Sequence, residues 1–158
     1  MFVRALLAFL VLPGVVAFLL PLLVFAPDAR PFALPGVILV VPGMFLLLWC
    51  VGEFYVAGKG TLAPWAPPRH LVVSGPYRLS RNPMYIAVLL ILAGWAVGFR
   101  SRALANYAAL MVVIFYARVV LFEEPWLEGT HGERWREYKA SVPRWARRTR
   151  SKRHSASA

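Results

Sequence analysis

Pro83–Phe99 (PMYIAVLLILAGWAVGF) and Ala103–Phe122 (ALANYAALMVVIFYARVVLF) are two apolar runs separated only by Arg100-Ser101-Arg102. So short a link joins two helices as an antiparallel hairpin. The first run has 17 residues without a charge; the second has 20, interrupted only by Arg118. A helix needs about 20 mainly apolar residues to cross a bilayer, so both are read as membrane spans. Pro83 falls in the first turn of its helix, where the missing N–H does no harm. Gly94 and Gly98, four apart, would let another helix approach closely.

Two more uncharged runs precede the hairpin. Ala5–Phe25 covers 21 residues, with Pro13 and Pro21 expected to bend it. Such bends are tolerated where neighbours satisfy the freed carbonyls. A cleavable leader is the competing reading, because Arg4 gives a basic start and Val24-Phe25-Ala26 loosely fits a cleavage site. The run exceeds the ~7–15 residues of a leader core, and Pro27 follows the would-be cut, which favours a retained helix. Pro27–Pro31 reads as a turn. Phe32–Gly52 is the next run of 21, with a kink expected at Pro42-Gly43, and it continues to Gly58. Lys59–Ser80 is a loop by its glycines and prolines; Trp65 and Leu71–Val73 place part of it on the membrane surface. The expected fold is therefore all-α, an integral membrane protein with four transmembrane helices.

Composition agrees. The chain of 158 residues is 59% hydrophobic with mean hydropathy +0.60, above the roughly 45–50% usual for soluble domains. Its net charge of +11 is concentrated at the end, where Arg134–Ala158 carries nine of the 18 basic side chains. A basic end beside a membrane gathers anionic lipid headgroups, about 1 kcal/mol per residue. That accounts for the charge without nucleic acid. The loop before the hairpin holds Lys59, Arg69, Arg78 and Arg81 and no acid. By the excess of basic residues in cytoplasmic loops, this loop, Arg4 and the tail share the cytoplasmic side, although Arg100 and Arg102 argue mildly against it. Residues 1–146 form one domain in this reading, and 147–158 a basic disordered tail. Cys50 is the only cysteine.

The polar groups gather at one end of the hairpin. Gly75-Pro76-Tyr77-Arg78-Leu79-Ser80-Arg81-Asn82-Pro83-Met84-Tyr85 stands at the door of the first run, and Glu123-Glu124 closes the second. Two carboxylates at a helix C-terminus oppose its dipole, so they call for cationic partners, which Arg78 and Arg81 offer. Glu53 and Arg118 lie at matching depth with opposite sign; they either pair or reach separately for the headgroups. A short amphipathic helix over Glu133–Val142 places Trp135, Tyr138 and Val142 on one face. The outcome is a mouth made by Tyr77, Arg78, Arg81, Asn82, Tyr85, Glu123 and Glu124, which Trp135 and Tyr138 roof. An aromatic and apolar pocket with a few placed polar groups suits a cofactor. Arginines match a carboxylate, glutamates a ribose diol or a cation, and aromatic rings an adenine or a sulfonium. His70, His131 and His154 lack metal-ligand spacing.

GPYRLSRNPMY, EEPWL and HGERWREYKASVPRW, in that order, resemble the isoprenylcysteine carboxyl methyltransferase family. The resemblance extends to its small bacterial members and to phospholipid methyltransferases, and covers Gly60–Trp145. It implies S-adenosyl-L-methionine enclosed at the cytoplasmic face of a bacterial inner membrane, with a lipid-like acceptor entering from the bilayer. It carries the family's Arg-His-Pro-x-Tyr onto Arg81, Asn82, Pro83 and Tyr85, its Glu-Glu onto Glu123 and Glu124, and its Tyr-x-x-Tyr onto Trp135 and Tyr138. Asn82 replaces a histidine and keeps only hydrogen bonding; Trp135 replaces a tyrosine. The implied reaction is in-line methyl transfer, governed by alignment. A carboxylate acceptor needs no base, whereas an amine would need one, for which Glu124 is the candidate; Arg118 or Arg81 would position an anionic acceptor. An NADPH-dependent membrane reductase of the sterol reductase type and a non-catalytic scaffold are the alternatives. The acceptor itself and the oligomeric state are open.

Overall fold

The computed structural model describes residues 10–24, 32–57 and 71–145, and among them the chain is helical without a strand. A π-helical stretch, Leu10–Leu19, runs into α1, Leu20–Val24; α2 is Leu34–Val56; one 3-10 turn spans Gly75–Arg78. The hairpin follows as α3, Pro83–Gly98, and α4, Arg102–Arg118. A π-helical turn, Val119–Glu123, carries α4 directly into α5, Glu124–His131, and α6 covers Glu133–Ser141. The readings placed on Arg4, the Phe25-Ala26 cleavage site, Lys59, Trp65, Arg69, His70 and the tail 147–158 lie outside the described residues.

Among the described residues, two helices are long and apolar enough to cross a membrane: α2, 23 residues at mean hydropathy 2.4, and the continuous Arg102–His131, 30 residues at 1.9. The other two expected spans form shorter apolar helices within Pro13–Leu23 and Pro83–Gly98. Pro83 sets the start of α3, and the turn at Phe99-Arg100, where Arg100 takes φ +52°, sets its end. The long helices turn their apolar side chains outward, with Leu34, Ile38, Val41, Phe45 and Leu48 exposed on α2. Leu110, Val113, Leu121 and Phe122 do the same on the longer helix. Apolar belts of that size suit lipid and not water.

Small residues bring α2 and α3 together. A Cβ on Gly36 would stand 2.5 Å from the Gly98 Cα, and one on Gly94 would stand 2.9 Å from the Gly36 carbonyl oxygen. The close approach read from Gly94 and Gly98 is thus made to α2. Below it Leu47, Ala87, Val88, Ile91 and Leu92 pack with Ala17, Tyr107 and Phe115 as one core. Pro21 has no N–H to offer the Ala17 carbonyl four residues back. Trp95 Nε1 donates to that oxygen at 2.9 Å, and the Tyr107 hydroxyl donates to the neighbouring Val16 carbonyl at 3.1 Å. Neighbouring helices therefore satisfy the carbonyl that proline frees, as the apolar surroundings require.

The end of α4 departs from the expectation. No helix ends at Phe122; the chain stays helical to Gly132, which takes φ +51°. Pro125 would clash with the carbonyl four residues back in a regular helix, and the wider π turn immediately before it relieves the crowding. Glu123 and Glu124 consequently lie in mid-helix, free of the opposing dipole of a C-terminus.

Candidate functional site

The turn before α3 is built against the end of α2. Gly75 has φ +53°, and a Cβ there would stand 2.4 Å from Glu53 Oε1, so only glycine fits. The Ser74 hydroxyl donates to Glu53 Oε2, and Trp49 Nε1 donates to Oε1 at 3.3 Å. Glu53 therefore staples this turn to α2. It does not meet Arg118, whose carboxylate partner is Glu123. Tyr77 turns inward and away from the mouth, its ring 5.4 Å from that of Phe54 within a cluster of Cys50 and Val72. Its carbonyl accepts the Tyr138 hydroxyl at 2.7 Å. Burial pushes both phenols above their ordinary range. Arg78 points to the surface and reaches neither glutamate.

Arg81 and Glu124 do meet. Arg81 Nη1 donates to Glu124 Oε1 at 2.8 Å, and the two side chains are only 9% and 10% exposed. The second cation is Arg144, which donates from Nε at 2.8 Å to Oε1 and from Nη2 at 2.7 Å to Oε2. Such forked, charge-assisted bonds are the strong kind. Three donors occupy most of the lone-pair positions of one carboxylate, so a base role for Glu124 would require Arg144 to leave. Burial pulls the Arg81 guanidinium below its usual range while Glu124 opposes the shift; hydrogen bonding to Glu124 raises Arg144. Arg81 also lies over the Trp135 ring, 5.6 Å from its centre.

The segment carrying Arg144 is strapped to the turn. Arg81 N–H donates to the Pro143 carbonyl at 2.9 Å. Asn82 Nδ2 and the Ser80 hydroxyl donate to the Arg144 carbonyl at 2.9 and 3.1 Å. The Asn82 amide, read as a cofactor contact, is thereby engaged in holding the strap. Trp135, Tyr138 and Val142 form one buried cluster, as their helical spacing predicts. Arg144 and Ser80 escaped the sequence reading. The one signal for Arg144 was Pro143, which ends α6 and turns the next residue away from the tail.

Glu123 forms a second knot on the neighbouring face. The Tyr85 hydroxyl donates to Glu123 Oε1, and Arg118 Nε donates to the same oxygen at 2.9 Å and to Tyr85 Oη at 3.2 Å. Residues five apart share a face in a π turn, and this brings Arg118 onto Glu123. This knot is open: Arg118 is 46% and Glu123 32% exposed. Tyr85 stacks on Phe115 at 4.6 Å.

Behind Tyr138 lies a cavity of about 750 Å³. Leu71, Val73 and Val142 give it apolar walls, and Arg78, Arg134 and Glu137 line it with charge. Two buried donors beside the Glu124 knot, Arg81 Nε and Trp135 Nε1, meet no acceptor among the described residues. Buried donors of that kind call for a partner, and a carboxylate supplies one. The donors suit an anionic group, and the neighbouring cavity, which neither Arg81 nor Trp135 lines, has charged and apolar walls.

The family model for phospholipid methyltransferases matches residues 32–134, which include Arg81, Tyr85, Arg118 and both glutamates and stop before Trp135 and Arg144. The cobalt-zinc-cadmium resistance protein CzcN of Cupriavidus metallidurans is 31% identical over 96 residues, 61% of this chain and 40% of that protein. The chain thus spans about two fifths of the length of this curated relative. No solved structure matches it.

Proposed function

Since the chain belongs to the phospholipid methyltransferase family, we propose that it moves a methyl group from S-adenosyl-L-methionine to the head of a lipid-like acceptor. The acceptor is a prenylcysteine-like carboxylate or a headgroup amine. When bound, the cofactor supplies an electrophilic methyl group. The observation that carries the reading is the pair of orphaned donors, Arg81 Nε and Trp135 Nε1, buried beside Glu124. They receive the carboxylate of the cofactor. Glu124 and Arg144 hold Arg81 in place, and Glu124 acts as a positioning anion. Arg78, Glu137 and Tyr138 line the cavity that takes the body of the cofactor. Asn82 and Pro83 act on the framework, one by holding the strap with its side-chain amide and the other by starting α3. Tyr77 supports Tyr138 from beneath.

Four membrane crossings by residues 1–146 accompany this reading, two by the long helices and two by the shorter ones. The polar mouth of the hairpin and both termini then face the cytoplasm of a bacterial cell, and the tail 147–158 lies on anionic headgroups. Short spans are accommodated where the bilayer thins around them.

Calorimetric titration of detergent-purified protein with S-adenosylmethionine, S-adenosylhomocysteine and NADPH tests the assignment. The two sulfur compounds bind, and Trp135→Phe weakens both by about tenfold or more, the worth of one hydrogen bond to a charged group. Binding of NADPH alone would move the protein to the reductases. No binding by folded protein would leave a scaffold.

A further inference from the structure

We propose that Arg118 is a receptor for an oxyanion carried by a membrane amphiphile, on the lipid side of the helix and apart from the Arg81–Glu124–Arg144 knot. Arg118 is held by Nε alone, which donates to Glu123 and to Tyr85; both Nη groups are left without a partner among the described residues. Nearly half of the side chain is exposed, and the neighbours exposed with it are Ile114, Leu121 and Phe122. Arg118 lies 16 residues beyond Arg102 on the same helix, about 24 Å at 1.5 Å per residue. That depth falls within a hydrocarbon core of about 30 Å. A guanidinium costs at least about 2.5 kcal/mol at the bilayer centre and less at this level, about 6 Å inside the far boundary, where it still favours a partner. Glu123 answers its charge and leaves its two-pronged donor end, the shape that matches a carboxylate or phosphate, directed away from the carboxylate that pins it.

Other parts of the structure support an outward-facing role. Glu123 and Tyr85 are the groups that touch Arg118, and they come from α3 and from the π turn, so two elements fix its orientation. Glu124, one residue on, faces the opposite knot with its own two arginines. The helix therefore presents a closed cationic side and an open one. On the function proposed above, the amphiphile at the open side is the methyl acceptor, and Arg118 selects acceptors with an anionic head. The oxyanion subsite itself stands without that reading.

The test uses the full chain in a non-ionic detergent, titrated by calorimetry with dodecyl phosphate, laurate, dodecanol and dodecylamine, with S-adenosylhomocysteine in a separate titration. At least one of the two anions binds about tenfold more tightly than dodecanol, as one charged hydrogen-bond pair allows. Whichever anion binds better identifies phosphate or carboxylate as the source. Arg118→Gln loses the preference and keeps its affinity for S-adenosylhomocysteine, which reports an intact fold. Should the glutamine variant fail to fold, Arg118→Lys decides the matter. Lysine keeps the charge and lacks the fork, so a drop of about three- to tenfold in anion affinity supports the proposal. No preference for anions in the wild type would overturn it, as would stronger binding of dodecylamine or a preference unchanged in the variants. If S-adenosylhomocysteine does not bind while the Arg118-dependent preference stands, the cofactor reading fails and the subsite remains.

Discussion

Glu123 and Glu124 are adjacent and chemically identical, yet they anchor opposite kinds of site. Glu124 is sealed, held by Arg81 and by a forked Arg144, with Trp135 stacked on Arg81. Glu123 is open, with one tyrosine and one arginine that spends a single N–H on it. Neighbours on a helix differ in direction by about 100°, so the doublet makes one helix the wall between two environments. The buried side demands complete pairing, because an unpaired charge there is costly. The lipid-facing side leaves a donor end in reserve. In the proposed reaction, a cofactor kept out of the bilayer and an acceptor drawn from it use this division.

Substitutions can break or sharpen that contrast. The largest effect belongs to Glu124→Ala, which leaves two cations close together; it costs about 3 kcal/mol, the scale for stranding a buried charge. Chemical unfolding in mixed micelles measures it. Gly75→Ala comes next, at about 2 kcal/mol, from the left-handed backbone and the displaced Glu53 carboxylate. It loosens the turn that presents Arg81 and weakens cofactor binding along with stability. Glu123→Ala costs less than Glu124→Ala, about 1–2 kcal/mol, because the half-exposed Arg118, once freed, reaches for the headgroups. An equal loss in the two glutamate variants would remove the distinction between the knots. The smallest change is Tyr138→Phe, about 1 kcal/mol at neutral pH for one hydrogen bond. It has a pH signature. Burial raises the folded pKa of Tyr77 and Tyr138, so their contribution is present below the unfolded value and is lost as pH rises beyond about 10. The thermal midpoint of the wild type falls there more steeply than that of Tyr138→Phe.

What could be read from the sequence was local or periodic. The start of α3 at Pro83, the hairpin around Arg100-Ser101-Arg102 and the Trp135–Tyr138–Val142 face each rest on residues a few positions apart. The Gly94/Gly98 approach was legible too, although Gly36 as its partner was not. Arg81 with Glu124 followed from both lying at the same end of the hairpin. The remainder depended on distant chain or on irregular geometry. Arg144 reaches Glu124 only because the strap returns to Ser80 and Asn82, more than sixty residues earlier. Arg118 reaches Glu123 through a π turn, which a search at 3.6 residues per turn does not represent. The apolar run stops at Phe122, and nothing in it announces the π turn that carries the helix on through Pro125. Glu53 had an oppositely charged candidate partner in Arg118, and nothing local favoured Ser74 over it.

The most direct test of the account is transfer of a labelled methyl group. The protein, reconstituted in vesicles of bacterial lipid extract, is incubated with S-adenosylmethionine carrying the label, beside Arg81→Ala and Glu124→Gln. The account predicts label in a lipid-extractable product with the wild type and a loss of at least about tenfold in either variant. Label transferred equally well by the variants would contradict it, as would no transfer by folded protein supplied with both prenylcysteine and amine-headed acceptors.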